Sequence, residues 1–248
     1  MLFNYQETKV NDQTELSALK FILRGGNAGT VGDAPWKKYT NVQSIVVEGT
    51  VVLQANAANL FQNLKSLTYI DTLSFDTSQV TTFDFLFSDS DSLEVLNLNG
   101  WDTSNVRSIN RTFHNMTSLV ELDISSWNMA NVRNTSTNSW FIFEARNLRT
   151  IHLGVNTTLM LMSSSSRPVF QTGAPSVEYT GNWLYLKDQN GNDPEERVVT
   201  ARGTLLSTFY DGSKPGTYIL EKRVSQPVTV KFLDLEGDEL ALSVTIEG

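Results

Sequence analysis

The apolar positions in the middle of the chain recur at a fixed spacing. LFQNLKSLTYIDTLSFDTSQVTTFDF from Leu60, LFSDSDSLEVLNLNGWDTSNVRSINR from Leu86 and TFHNMTSLVELDISSWNMANVRNTST from Thr112 align with a period of 26. Four columns stay in phase: Phe61, Phe87, Phe113; Leu67, Leu93, Leu119; Phe75, Trp101, Trp127; and Val80, Val106, Val132. A repeat of this length cannot bury its apolar face alone, so neighbouring units must stack around one elongated core, and the pattern predicts a solenoid.

Within each unit the spacing Leu-x-x-Leu-x-Leu, at Leu93, Leu96 and Leu98 and again at Leu119, Leu122 and Ile124, predicts a strand followed by an irregular or helical return segment. Leu96 and Leu98 share one side of that strand, which turns Val95, Asn97 and Asn99 outward. Stacking then builds outward ladders. One runs Tyr69, Val95, Glu121, Thr150, and the next Asp71, Asn97, Asp123, His152, with a short insertion around Ser139 to Phe143 absorbed in the fourth unit, which ends in Leu148, Ile151 and Leu153.

Ile45 and Val47 fall in phase with Ile70 and Thr72 and mark an opening strand. Residues 1–40 hold the apolar segment LSALKFIL and the glycine-rich GGNAGTVGDAPW, which fits an N-terminal cap or a loosely attached leader. The solenoid is expected over 41–154. From Val155 the period ends; SVEYT, WLYLKD, RVVTA and TYILEK alternate like strands, QNGND and DGSKPG are turn sequences and TLLSTFYDG suits a short helix, so 155–225 reads as a small β-rich C-terminal cap. Residues 226–248 predict two strands around a Glu-Gly-Asp turn.

Composition narrows the function classes. Nineteen Lys and Arg stand against 27 Asp and Glu, a net charge of −8, which argues against nucleic acid and anionic membrane surfaces as partners. The absence of cysteine excludes disulfides, thiolate nucleophiles and cysteine-ligated metals. No apolar run reaches the roughly 18 residues of a membrane span, and the start MLFNYQET lacks a basic region and an apolar signal core.

Catalytic chemistry finds little support. His114 and His152 lie in different units, without metal-ligand spacing, and each is expected at a solvated position. A catalytic role would also need a nucleophile and an orienting group beside them. Asp71 and Asp123, two rungs apart, have the separation of a glycosidase pair, but a flat ladder offers no pocket to perturb them. The columns Asp76, Asp102, Asn128 and Gln79, Asn105, Asn131 could form a calcium ladder; in so tight a segment they are expected instead to hydrogen-bond the backbone of the turn. Four Asn-x-Ser/Thr sequons, at Asn110, Asn115, Asn134 and Asn156, follow from the Asn, Ser and Thr content.

The period, the segment WDTSNV at Trp101 to Val106 and the Phe and Leu columns resemble the BspA-like leucine-rich-repeat surface proteins of bacteria. APWKKYTNVQSIVVEG from Ala34, YTGNW at Tyr179 to Trp183 and LLSTFYDG at Leu205 to Gly212 are similar to the segments flanking that family's repeats, and QPVTVKFLDLEGDEL is similar to the opening hairpin of a mucin-binding (MucBP) domain. The chain departs from the repeat pattern at Phe75, in place of Trp, and at Met129, in place of Thr. The resemblance implies a leucine-rich-repeat solenoid with both caps, in a secreted, cell-wall-attached protein of a Gram-positive organism whose signal and anchor lie outside this chain. It implies adhesion to a host matrix protein, mucin or glycan, with no catalysis and no cofactor. The outward ladders make Tyr69, Asp71, Val95, Asn97, Glu121 and Asp123 the candidate binding residues, with a basic patch on the partner. A spacer that projects other modules, or self-association through the lateral faces, are the alternatives.

Overall fold

A computed structural model describes residues 5–12, 15–39, 41–132, 140–159, 170–171, 178–186, 194–198, 210–224, 228–233 and 239–246. In chain order the strands are β1 (Tyr5–Asp12), β2 (Glu15–Asn27), β3 (Val42–Val52), β4 (Tyr69–Ile70), β5 (Phe75–Asp76), β6 (Val95–Asn97), β7 (Glu121–Ile124), β8 (Ile142–Phe143), β9 (Thr150–Leu153), β10 (Phe170–Gln171), β11 (Tyr179–Leu186), β12 (Pro194–Val198), β13 (Gly216–Lys222), β14 (Val228–Leu233) and β15 (Glu239–Ile246). The only helical pieces among the described residues are two 3-10 turns, Val31–Asp33 and Pro35–Lys38. The molecule is a repeat-based β-solenoid of about five turns, and its return segments are irregular, not helical.

The expected register holds from β3 to β4 and from β6 to β9, while the expected rungs Tyr69–Val95 and Asp71–Asn97 are not paired. Ser44 and Ile45 stand beside Tyr69 and Ile70; Val95 beside Glu121 beside Thr150; Asn97 beside Asp123 beside His152. All four apolar columns are buried. Phe61, Phe87 and Phe113 stack face to face down the interior, centroids 5.2 and 6.2 Å apart at 19° and 9°, and Trp36 extends the stack at 5.5 Å. Burying each ring contributes about 2–3 kcal/mol, and the stacking adds roughly another 1.

The return segments are tied turn to turn through the backbone. Phe61, Phe87 and Phe113 donate N–H bonds of 2.9 Å to the carbonyls of Leu86, Thr112 and Phe141. Each turn passes twice through left-handed backbone, first at Asn59, Phe85, Arg111 and Trp140, then at Asn63, Asp89, Asn115 and Glu144. Such conformations suit Asn but cost about 1–2 kcal/mol for bulky side chains. Stacking offsets part of this: the Arg111 guanidinium lies 5.4 Å from the Phe85 ring centre and 4.1 Å from that of Trp140.

The pairing also locates the insertion. The spacing of 26 between Val95 and Glu121 widens to 29 between Glu121 and Thr150. Since Phe113 bonds Phe141, and Trp140 repeats the left-handed backbone of Arg111, the extra residues precede Trp140. The sequence pattern placed them around Ser139 to Phe143; Phe141 and Ile142 are instead buried members of the regular unit.

At the N-terminal end β1 and β2 form an antiparallel hairpin, and β2 runs parallel to β3 with Phe21, Ile22 and Leu23 beside Ile45, Val46 and Val47. The apolar segment LSALKFIL is therefore a strand that continues the sheet. Gly25 allows the close approach, since a Cβ there would sit 3.1 Å from the Thr50 carbonyl oxygen. At the other end β13 lies antiparallel on β9, giving a six-stranded sheet in the order β12-β11-β13-β9-β7-β6. SVEYT and WLYLKD, expected as two strands, contribute to the single strand β11. The Tyr210 hydroxyl donates to the Gly154 carbonyl at 2.6 Å, and a Cβ on Gly154 would fall 1.7 Å from the Ser125 oxygen. β14 and β15 pair as the expected antiparallel hairpin. The QNGND and Glu-Gly-Asp turns, most of the TLLSTFYDG segment and the Asn134 sequon lie outside the described residues.

Candidate functional site

The ladder of strands is interrupted at one place on its outward face. β6, β7 and β9 pair in one sheet and β3 and β4 in another, so β4 and β6, although one repeat apart, are not paired. The local sequence supplies a reason. In the inward column that holds Leu98 and Ile124, the first turn carries Thr72. Leu98 donates its backbone N–H to Asp123 O at 2.8 Å, whereas Thr72 donates its hydroxyl to the corresponding carbonyl, that of Asn97. Its own carbonyl accepts the indole N–H of Trp101 at 2.8 Å.

A groove of about 390 Å³ opens at this interruption. It brings together four of the six candidate residues, Tyr69, Asp71, Val95 and Asn97, and adds Leu73 and Glu94. Tyr69, Leu73 and Val95 are 55%, 65% and 56% exposed. Scattered exposed apolar side chains are ordinary; here three of the six large ones among the described residues line one groove. A second groove, of about 380 Å³, is lined by Asn27, Val52, Leu53, Gln54, Ala55 and Gln79, and Gln54 Nε2 donates to the Ala28 carbonyl at 2.9 Å.

The polar members of the ladders are largely committed to local bonds. Asn97 Oδ1 accepts the Asn99 N–H at 2.9 Å, Asp123 Oδ1 accepts the N–H and hydroxyl of Ser125 at 2.9 and 2.6 Å, and Asp71 Oδ2 accepts the Ser74 hydroxyl at 3.3 Å. Glu121 and Asp123 do not line the groove. Glu121 Oε1 lies 3.0 Å from His152 Nε2, while His152 Nδ1 lies 2.8 Å from the Thr217 hydroxyl. Carboxylate, imidazole and hydroxyl thus form a chain, but His152 and Thr217 are directly opposed residues on paired strands. This is a cross-strand tie joining β7, β9 and β13.

The DTSNV-type segments form backbone hydrogen bonds as expected. Asp76, Asp102 and Asn128 accept the N–H two residues on at 2.9–3.0 Å, Asn105 and Asn131 donate to the carbonyls of Ser78 and Ser104, and Thr77 and Thr103 donate to those of Asp102 and Asn128. The Ser78 hydroxyl and N–H hold the Asp76 carboxyl below its ordinary range. Among the described residues no group of three or more His, Asp or Glu side chains could hold a metal ion, and no helix is long and apolar enough to cross a membrane.

His114 departs from expectation. It is half-buried on the return face, stacked at 5.7 Å and 11° on Phe143 and at 6.0 Å and 27° on Trp140. Burial lowers its pKa, against the pull of Asp89. The period gave no sign of this, because the partner rings come from beyond the insertion.

Leu73 and Glu94 are the groove residues that the ladder argument missed. A signal existed: Leu73 occupies the column of Asn99 and Ser125, an apolar residue in a polar phase.

Residues 40–148 match the model of a family described as "Mycoplasma protein of unknown function, DUF285". The match covers the repeats and carries no assigned activity. No curated protein and no solved structure matches the chain.

Proposed function

We propose that the chain is the non-catalytic binding segment of an extracellular, cell-wall-attached adhesin of the BspA-like leucine-rich-repeat kind, engaging a host matrix protein, mucin or glycan through its strand face. The observation that carries this reading is the concentration of exposed apolar side chains around the groove between β4 and β6. Stacked turns present such a face with little conformational freedom to lose on binding. In this reading β1 and β2, and β11 to β13, are the caps that cover the ends of the core, and the β14–β15 hairpin opens a MucBP-type domain.

The alternative is a spacer, favoured by the local hydrogen bonds that occupy Asp71, Asn97 and Asp123. Binding of the purified chain to immobilised mucin, fibrinogen, fibronectin, collagen and a glycan array, at low and high salt, separates the two. An adhesin gives saturable binding to one of them. A spacer gives none.

A further inference from the structure

Resting on the binding reading above, we propose that the groove takes an extended protein segment carrying an apolar side chain with a lysine or arginine two positions away, and not a glycan. The groove's own chemistry selects this partner. Its apolar wall is formed by Leu73, Val95 and the Tyr69 ring, two aliphatic surfaces to one aromatic, which suits an aliphatic or aromatic side chain better than the hydroxyl-rich edge of a sugar. Its charged lining residues are Asp71 and Glu94, and no Lys or Arg lines it.

The neighbouring rungs add Glu121 and Asp123. Two cations flank the groove on this face: Lys20, on the rung it shares with Ser44 and Tyr69, and Arg149, beside β9, whose guanidinium lies 4.4 Å over the Tyr179 ring and donates to the carbonyls of Arg146 and Leu148. The groove's own lining is thus acidic around an apolar centre, an arrangement that pairs with a cation beside an apolar anchor. An extended segment turns every second side chain the same way, about 7 Å apart. That places anchor and cation together in a groove of about 390 Å³, room for one or two side chains. The hydrogen bonds of Asp71 and Asn97 to their own turn leave Glu94 as the carboxylate most available to a ligand cation.

The test uses the full chain, immobilised, and three short peptides: one repeating leucine-serine-lysine-serine, one repeating leucine-serine-glutamate-serine, and one repeating serine-serine-lysine-serine. The first should bind saturably and at least tenfold more tightly than either of the others. Leu73→Ser and Val95→Ser, both at exposed positions, should each weaken it about tenfold. Asp71→Asn with Glu94→Gln should abolish the preference for lysine over glutamate and flatten the salt dependence. Binding that ignores these substitutions but fails in a Glu121→Gln, Asp123→Asn variant would overturn the proposal while leaving the binding reading intact. So would a glycan that binds and is lost with Leu73→Ser. Silence of the chain towards the peptides and towards every protein and glycan of the panel would overturn both.

Discussion

Two junctions built from the same repeat behave differently. Between β6 and β7 three residues pair, Leu98 supplies the next backbone bond, and the ladder closes. Between β4 and β6, one repeat earlier, a hydroxyl takes the place of that N–H, the strands stay unpaired and a groove opens. Both junctions share the phenylalanine stack beneath them, so the difference lies in the column occupied by Thr72, Leu98 and Ile124. A solenoid tolerates this because each turn is also held by its return segment. One polar residue in an apolar column accompanies the change from a continuous ladder to a groove.

The largest effect should come from removing what the junctions share. Phe87 lies between Phe61 and Phe113, and Phe87→Ala should cost about 3–5 kcal/mol in urea unfolding, destabilising both sides of the comparison. The tryptophans sharpen it. Trp101 donates its indole N–H to Thr72 O, whereas the buried indole N–H of Trp127 has no partner among the described residues. Trp101→Phe should therefore be more damaging than Trp127→Phe by about 1–3 kcal/mol, the cost of leaving a buried carbonyl unsatisfied. Thr72→Val keeps the shape, removes the hydroxyl bond to Asn97 O and should cost about 1 kcal/mol, with faster amide exchange confined to residues 69–73 and 95–98.

The smallest effect concerns the face away from the groove. Burial makes His114 a weaker base than in the unfolded chain, so below the ordinary histidine pKa of about 6.5 the unfolded state binds more protons. Stability should be complete above that pH and decline as the pH falls below it, above the range where the lowered carboxyls of Asp76 and Asp89 begin to protonate. His114→Gln should flatten this slope in thermal melts. Binding through the groove should not follow it.

The solenoid and its register were legible because identical columns recur in step: the alignment of Val95, Glu121 and Thr150 follows from counting. The insertion was misplaced because Phe141 and Phe143, read as extra residues, restore the period. The left-handed positions at Phe85, Arg111 and Trp140 were invisible, since none is the Gly or Asn that marks such backbone. For the site, the outward ladder supplied Tyr69, Asp71, Val95 and Asn97, but periodicity treats all rungs as equal. What singles out one junction is an exception to the period, Thr72 under the face and Leu73 upon it.

Amide hydrogen exchange on the full chain, with and without the leucine-serine-lysine-serine peptide, tests the central claim most directly. The account predicts added protection at residues 68–73 and 94–97, with the return face and the β7–β9 rungs unchanged. Protection centred on residues 121–123 or on the Phe85, Arg111 and Trp140 face, or none at saturating peptide, would contradict it.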